Sequence, residues 1–140
     1  MKKMVAFIMT LVLTGCATPQ VYNPTNVKKD ELATLKTTAG KNIFLTKEYI
    51  AWILYIYDSN NEEVTKRNPL SNKINQISLP SGSYRVQAEC VNKMYSGSPM
   101  ALFTLESSKT YQVFCDITKG ENFLGMNVDS KVQLKIKEIN

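Results

Sequence analysis

Histidine is absent from the 140 residues. Ser-His-Asp and Cys-His machinery is therefore excluded, as is any zinc site built on imidazole. Cysteine is scarce, with three residues and no Cys-x-x-Cys spacing that would favour a redox dithiol. No apolar run reaches the roughly 20 residues that an ordinary transmembrane helix needs. The basic excess, net +5, is scattered as Lys28-Lys29, Lys66-Arg67 and Lys131, Lys135 and Lys137. It lacks the aromatic interleaving that grips single-stranded nucleic acid, so nucleic acid is not an expected partner. Ser71, Ser81, Ser96 and Ser108 stand near glycines or lysines, yet no Ser-x-x-Lys motif occurs. These absences together point away from an enzyme and away from any cofactor or metal.

What is present begins at the amino end. Lys2-Lys3 precede an apolar run from Val5 to Leu13, the charge-then-apolar order of an export signal. Leu13-Thr14-Gly15-Cys16 follows, and it resembles the lipobox of bacterial lipoproteins, in which the cysteine thiol receives diacylglycerol. The resemblance implies lipidation, palmitate included, at Cys16; the alternative is an ordinary secreted protein cleaved at a nearby small-residue site. It also implies sorting, because Ala17 stands where an inner-membrane retention signal typically has Asp. The expected location is the outer membrane, periplasmic face, with the membrane engaged only through lipid on Cys16. Processing would remove Lys2 and Lys3, leaving 15 basic against 12 acidic residues, a net of +3.

Residues 1–15 thus read as signal peptide and 16–27 as a lipidated start and flexible linker, polar and carrying Pro19 and Pro24. Residues 28–140 read as one domain. Its short β-branched and aromatic runs alternate with Gly, Asn, Asp, Ser and Pro clusters, the signature of many strands rather than amphipathic helices. The expected strands are Glu31 to Lys36, Ile43 to Thr46, Tyr49 to Tyr57, Ile74 to Leu79, Tyr84 to Cys90, Ala101 to Glu106, Thr110 to Ile117 and a last one carrying Val132, Leu134 and Ile136. Tyr49 to Tyr57, the longest apolar run of the domain, is expected at the centre. Strict alternation would put Ile50, Trp52, Leu54 and Ile56 on one face and Tyr49, Ala51, Ile53, Tyr55 and Tyr57 on the other. Tyr84, Val86, Ala88 and Cys90 are expected to point inward, opposite Arg85, Gln87 and Glu89.

Cys90 and Cys115 remain once Cys16 is lipidated, and in an oxidising compartment they are expected to form a disulfide. Two separate buried thiols are the alternative. Asp58-Ser59-Asn60-Asn61-Glu62 has oxygen ligands at alternate positions, but Glu63 and Pro69 stand where a calcium loop needs glycine and glutamate, so a hairpin turn is expected. Met94, Tyr95 and Met100 form a possible binding rim after Cys90. They would equally serve to cap the core.

The words Leu79-Pro80-Ser81-Gly82-Ser83-Tyr84-Arg85-Val86 and Phe103-Thr104-Leu105-Glu106-Ser107-Ser108-Lys109-Thr110-Tyr111 resemble turn-and-strand motifs of small bacterial lipoproteins with carboxypeptidase-regulatory-like β-sandwiches. The likeness spans roughly residues 31 to 117. It departs at Ser107-Ser108, where the second turn usually has glycine. The resemblance implies a single antiparallel β-sandwich, transthyretin-like or immunoglobulin-like, with no established activity. The expected function is a non-catalytic, lipid-anchored envelope lipoprotein acting as a protein-interaction or assembly accessory module on another envelope protein. Alternatives are a glycan- or peptide-binding module and an inhibitor of a host hydrolase.

Overall fold

The computed structural model describes residues 19–37, 49–67, 71–93, 96–121 and 127–140. Among them the chain is all-β, with one 3-10 turn at Lys29–Glu31. The strands are β1 (Gln20–Val21), β2 (Ala33–Lys36), β3 (Ile50–Tyr57), β4 (Gln76–Leu79), β5 (Gly82–Val91), β6 (Ser96–Gly97), β7 (Met100–Leu105), β8 (Thr110–Glu121) and β9 (Asn127–Ile139). Two sheets pack face to face as a β-sandwich. The larger has the order β1-β4-β2-β8-β9; the smaller has β5 in the middle, β3 on one flank and β6 and β7 on the other. The expected strand at Ile43 to Thr46 lies outside the described residues.

Alternation places the core. β2 turns Ala33 and Leu35 inward, β4 Ile77 and Leu79, β5 Tyr84, Val86, Ala88 and Cys90, and β8 Tyr111 and Val113. Leu105 from β7 and Leu134 from β9 complete the layer between the sheets. Leu134 is the buried member of the inward set expected in the last strand, with Val132 and Ile136 packed beside it and the lysines outward. Burying a side chain such as Leu35 or Ile77 stabilises the fold by about 1.5 to 3 kcal/mol each.

Four details differ from the sequence reading. β3 is not central: it pairs β5 alone among the strands, with single bridges from Ile53 to Ile74 and from Tyr57 to Glu63 on its far side. A bulge between Ile53 and Tyr55 also breaks its strict alternation. One extra residue reverses the facing of everything after it, so Ala51, Ile53 and Ile56 are buried while Trp52, Tyr55 and Tyr57 pair with Glu89, Gln87 and Arg85 of the outward row of β5. The larger sheet also includes two parallel pairs, β1 with β4 and β2 with β8.

The fourth difference concerns the stretch expected as linker. Gln20–Val21 is already a strand on β4, and the Tyr22 N–H donates to the Ser78 carbonyl at 3.0 Å. The Gln20 side-chain amide pairs with the Lys66 backbone in both directions, at 2.9 and 3.0 Å. Asn23 closes a loop on Val27 in the same two-way manner, at 2.7 and 3.0 Å. These side-chain-to-backbone pairings leave no hydrophobic period in the sequence, which is why polar residues with two prolines read as linker.

Candidate interaction surface

The disulfide between Cys90 and Cys115 forms, with Cα atoms 6.0 Å apart. Cys90 belongs to β5 and Cys115 to β8, so the bond ties one sheet to the other. Cys16, Met94 and Tyr95 lie outside the described residues. Met100, the third member of the expected rim, opens β7 and is 47% exposed.

The outer face of the smaller sheet carries the most unusual surface. Three strands bring its side chains into rows through their register: Trp52 beside Glu89, Tyr55 beside Gln87 and Met100, Tyr57 beside Arg85 and Leu102, and Ser83 beside Thr104. Leu102 is 67% exposed, the highest value among the described large apolar residues. An isolated exposed leucine means little, but here it continues a row with a tyrosine and an arginine, residue types enriched where proteins bind each other.

Cations sit over the rings of this face. The Arg67 guanidinium lies 5.3 Å from the Tyr55 ring centre, Lys73 Nζ 5.8 Å from Trp52 and the Arg85 guanidinium 5.7 Å from Tyr57. Each pairing is worth about 0.5 to 1 kcal/mol at an exposed site. The rings of Tyr55 and Tyr57 are 6.4 Å apart and tilted by 32°. Arg67 also holds Glu63 at 3.0 Å, and that hydrogen bond keeps the Glu63 carboxyl below its ordinary pKa. Lys73 reaches Glu89 at 2.5 Å. Arg85 has no carboxylate partner among the described residues.

The Asp58 segment and the β7–β8 turn have structural roles. The Asp58 carboxylate accepts from the N–H groups of Asn60 and Glu62, both at 2.9 Å, and Asn61 takes a left-handed φ of 66°, so this segment is the expected turn. Ser107 Oγ donates to the Glu31 carbonyl at 2.7 Å and Ser108 adopts φ 62°, supplying without glycine the left-handed residue of the β7–β8 turn. Lys109, next to Ser108, sits 2.8 Å from Glu106 and 3.0 Å from Glu138. Those carboxylates raise its pKa, the opposite of what a lysine general base requires. Among the described residues no three His, Cys, Asp or Glu side chains gather to hold a metal ion. No helix there is long and apolar enough to cross a membrane.

Sequence reasoning missed this face because it assigned Tyr55 and Tyr57 to the same side as the buried Ala51 and Ile53. The bulge that separates them has no sequence signal. The outward set Arg85, Gln87 and Glu89 was legible, and it is the middle row of the surface. No family model matches the chain, and comparison with curated proteins and with solved structures finds no match.

Proposed function

We propose that the chain is a lipid-anchored lipoprotein of the bacterial outer membrane whose β-sandwich is a non-catalytic module for binding another envelope protein on the periplasmic face. It belongs, on this reading, with the small lipoproteins whose turn motifs it resembles. The anchor rests on Leu13-Thr14-Gly15-Cys16 behind a basic and apolar leader. The binding role rests on one observation: the β3-β5-β7 face sets Tyr57, Arg85 and the exposed Leu102 in one row.

The anchor has a geometric consequence. Only Ala17, Thr18 and Pro19 separate Cys16 from β1. Four residue steps span at most about 14 Å, so lipid on Cys16 holds β1 close to the headgroups. β9 lies at the opposite edge of that sheet, four inter-strand steps or roughly 19 Å from β1.

The test uses the full chain in cells. Labelled palmitate is expected on the wild type and absent from Cys16→Ser. A photo-crosslinking phenylalanine derivative in place of Tyr57 is expected to capture one reproducible protein, while the same group at Gln112, on the larger sheet, captures none. Equal capture at both positions, or none at either, removes the binding role. A second reading, a glycan-binding module, is favoured by the paired Tyr55 and Tyr57 rings beside Gln87. Calorimetric titration with soluble cell-wall fragments separates the two: heat of binding that vanishes in Tyr55→Ala supports the glycan reading.

A further inference from the structure

The outer face of the larger sheet is strongly basic. Leu35, Tyr111, Val113 and Leu134 are buried against the other sheet, so the residues alternating with them on β2, β8 and β9 face outward. Register sets Lys36, Gln112 and Lys137 in one row, Phe114 and Lys135 in the next, then Asp116 with Gln133, and last Thr118 with Lys131. All four lysines are exposed, and Asp116 is the one acid among these outward residues. Asp116 is bonded to Lys135. Lys36 and Lys131 have no acidic partner among the described residues, and Lys137 has the Phe114 ring, 5.9 Å from its Nζ. The excess of three positive charges equals the net charge of residues 17–140, so the remainder of that stretch is balanced. On the other side of the sandwich Arg67 and Lys73 are each held by a carboxylate.

Such a face selects an anionic occupant and rejects a second copy of itself, because two of them would set lysines against lysines. The residue types select further. Protein interfaces are depleted in lysine and enriched in Tyr, Trp and Arg, and the outward residues of this face include none of those three. Lysine meets phosphate as a compact, hydrated point charge, without the planar fork by which arginine fixes one geometry. Four point charges on a flat sheet suit a fluid array of phosphates. Val21, 49% exposed, pairs with Ser78, and Ser78 pairs with the outward Thr34, so an apolar side chain five residues from Cys16 lies on the same face.

We infer that this face lies on an anionic phospholipid surface, with Lys36, Lys131, Lys135 and Lys137 against the headgroup phosphates. This rests on the lipid-anchored reading and adds an electrostatic hold to the acyl chains; lipid together with a basic patch makes a two-signal anchor. Each lysine brought to such a surface strengthens the association about fivefold, within a Debye length of the phosphates. β1 belongs to the same sheet as the lysines, so the short connection from Cys16 lets the sheet settle on the headgroups rather than stand off from them. The β3-β5-β7 face, on the other side of the sandwich, is then turned away from the bilayer and open to a protein partner.

The experiment is lysine footprinting with acetic anhydride on the full-length protein, purified from cells in neutral detergent and transferred to preformed vesicles. One set of vesicles is phosphatidylcholine; the other contains about one third phosphatidylglycerol. Mass spectrometry reads each lysine against Lys93, an exposed residue that follows β5 in the smaller sheet. In the anionic vesicles acetylation of Lys36, Lys131 and Lys137 should slow about fivefold or more relative to phosphatidylcholine. The slowing should vanish in roughly 1 M salt, where the Debye length is about 3 Å. Lys36→Glu combined with Lys137→Glu, both exposed substitutions, should return Lys131 and Lys135 to their rates on phosphatidylcholine, whereas Arg85→Glu on the opposite face leaves the slowing intact. Equal rates in the two vesicle types overturn the proposal, and so does slowing that includes Lys93 to the same degree. Equal slowing by inorganic phosphate without vesicles overturns it in favour of a free anion; slowing that rises with protein concentration before vesicles are added overturns it in favour of self-association. Protein capture by the crosslinker at Gln112 in cells overturns it in favour of a protein ligand. Palmitate label with equal rates in both vesicles sinks the basic face and keeps the anchor, whereas slowing without label keeps the face and removes the anchor.

Discussion

The Tyr84 hydroxyl donates to the Pro80 carbonyl at 3.0 Å, four residues upstream, and the ring is almost wholly buried. Pro80 and Ser81 carry the chain from β4 in one sheet to β5 in the other, so this bond closes a corner, as the tyrosine corner does in immunoglobulin-type sandwiches. Gly82, at φ 153°, supplies backbone that an L side chain rarely adopts at the same corner. Tyr84→Phe keeps the ring and removes the bond, and is expected to lower stability by about 1 kcal/mol in urea unfolding at neutral pH. Burial also pushes the Tyr84 phenol above its ordinary pKa. With the folded value raised, its stabilisation is complete below the unfolded value of about 10 and is lost as pH rises through the folded one. The gap between wild type and Tyr84→Phe should therefore narrow as unfolding is repeated above pH 10; a constant gap would show that the phenol titrates alike in both states. That Tyr84 points inward was legible from its alternation with Val86, Ala88 and Cys90. Its acceptor was not, because the corner exists only once two sheets have formed.

Among the elements, the turn between β7 and β8 makes its left-handed residue without glycine. Ser108, at φ 62°, occupies a position that a glycine would relax. The arrangement persists because Ser107 Oγ and the Ser108 N–H both reach the Glu31 carbonyl, at 2.7 and 3.3 Å, docking the turn on the chain just before β2. Ser108→Gly keeps the N–H and relieves the left-handed strain, so thermal denaturation should show a gain of about 0.5 to 1 kcal/mol. Ser107→Ala removes the hydroxyl bond and should lose about 1 kcal/mol. A loss in Ser108→Gly would mean that the freedom glycine adds to the unfolded chain outweighs the strain. Elsewhere legibility followed how local the signal was. β5 and β9 showed their inward faces because alternation ran unbroken through Tyr84 to Cys90 and through Val132 to Ile136. β3 misled because a bulge shifts register without a marker residue, and β1 was hidden because two residues have no period. The surface on β3, β5 and β7 depended on that bulge, so only its β5 row could be read in advance.

At the scale of the whole molecule, the two sheets meet through side chains and through one covalent bond. The Cys90–Cys115 pairing was legible from cysteine number and the expectation of an oxidising compartment; that it would join opposite sheets was not, since sequence does not assign β5 and β8 to their layers. The bond closes a loop of separation 25, which in the chain-entropy model stabilises the folded state by about 3 to 4 kcal/mol. For a domain expected to be stable by only about 5 to 15 kcal/mol, that is a large share. Replacing both cysteines with alanine is expected to lower the melting temperature by roughly 10 to 20 °C while leaving the β-rich circular dichroism spectrum of the cold protein unchanged. Apolar packing supports survival of the fold. Leu35, Ile53, Ile56, Ile77, Leu79, Val86 and Val113 are wholly buried without help from the bond. A double variant that is unfolded at low temperature would show that the apolar layer is insufficient alone, and that the sandwich requires an oxidising compartment to exist. A melting temperature unchanged within about 2 °C would place residual structure in the reduced unfolded chain that already holds β5 near β8.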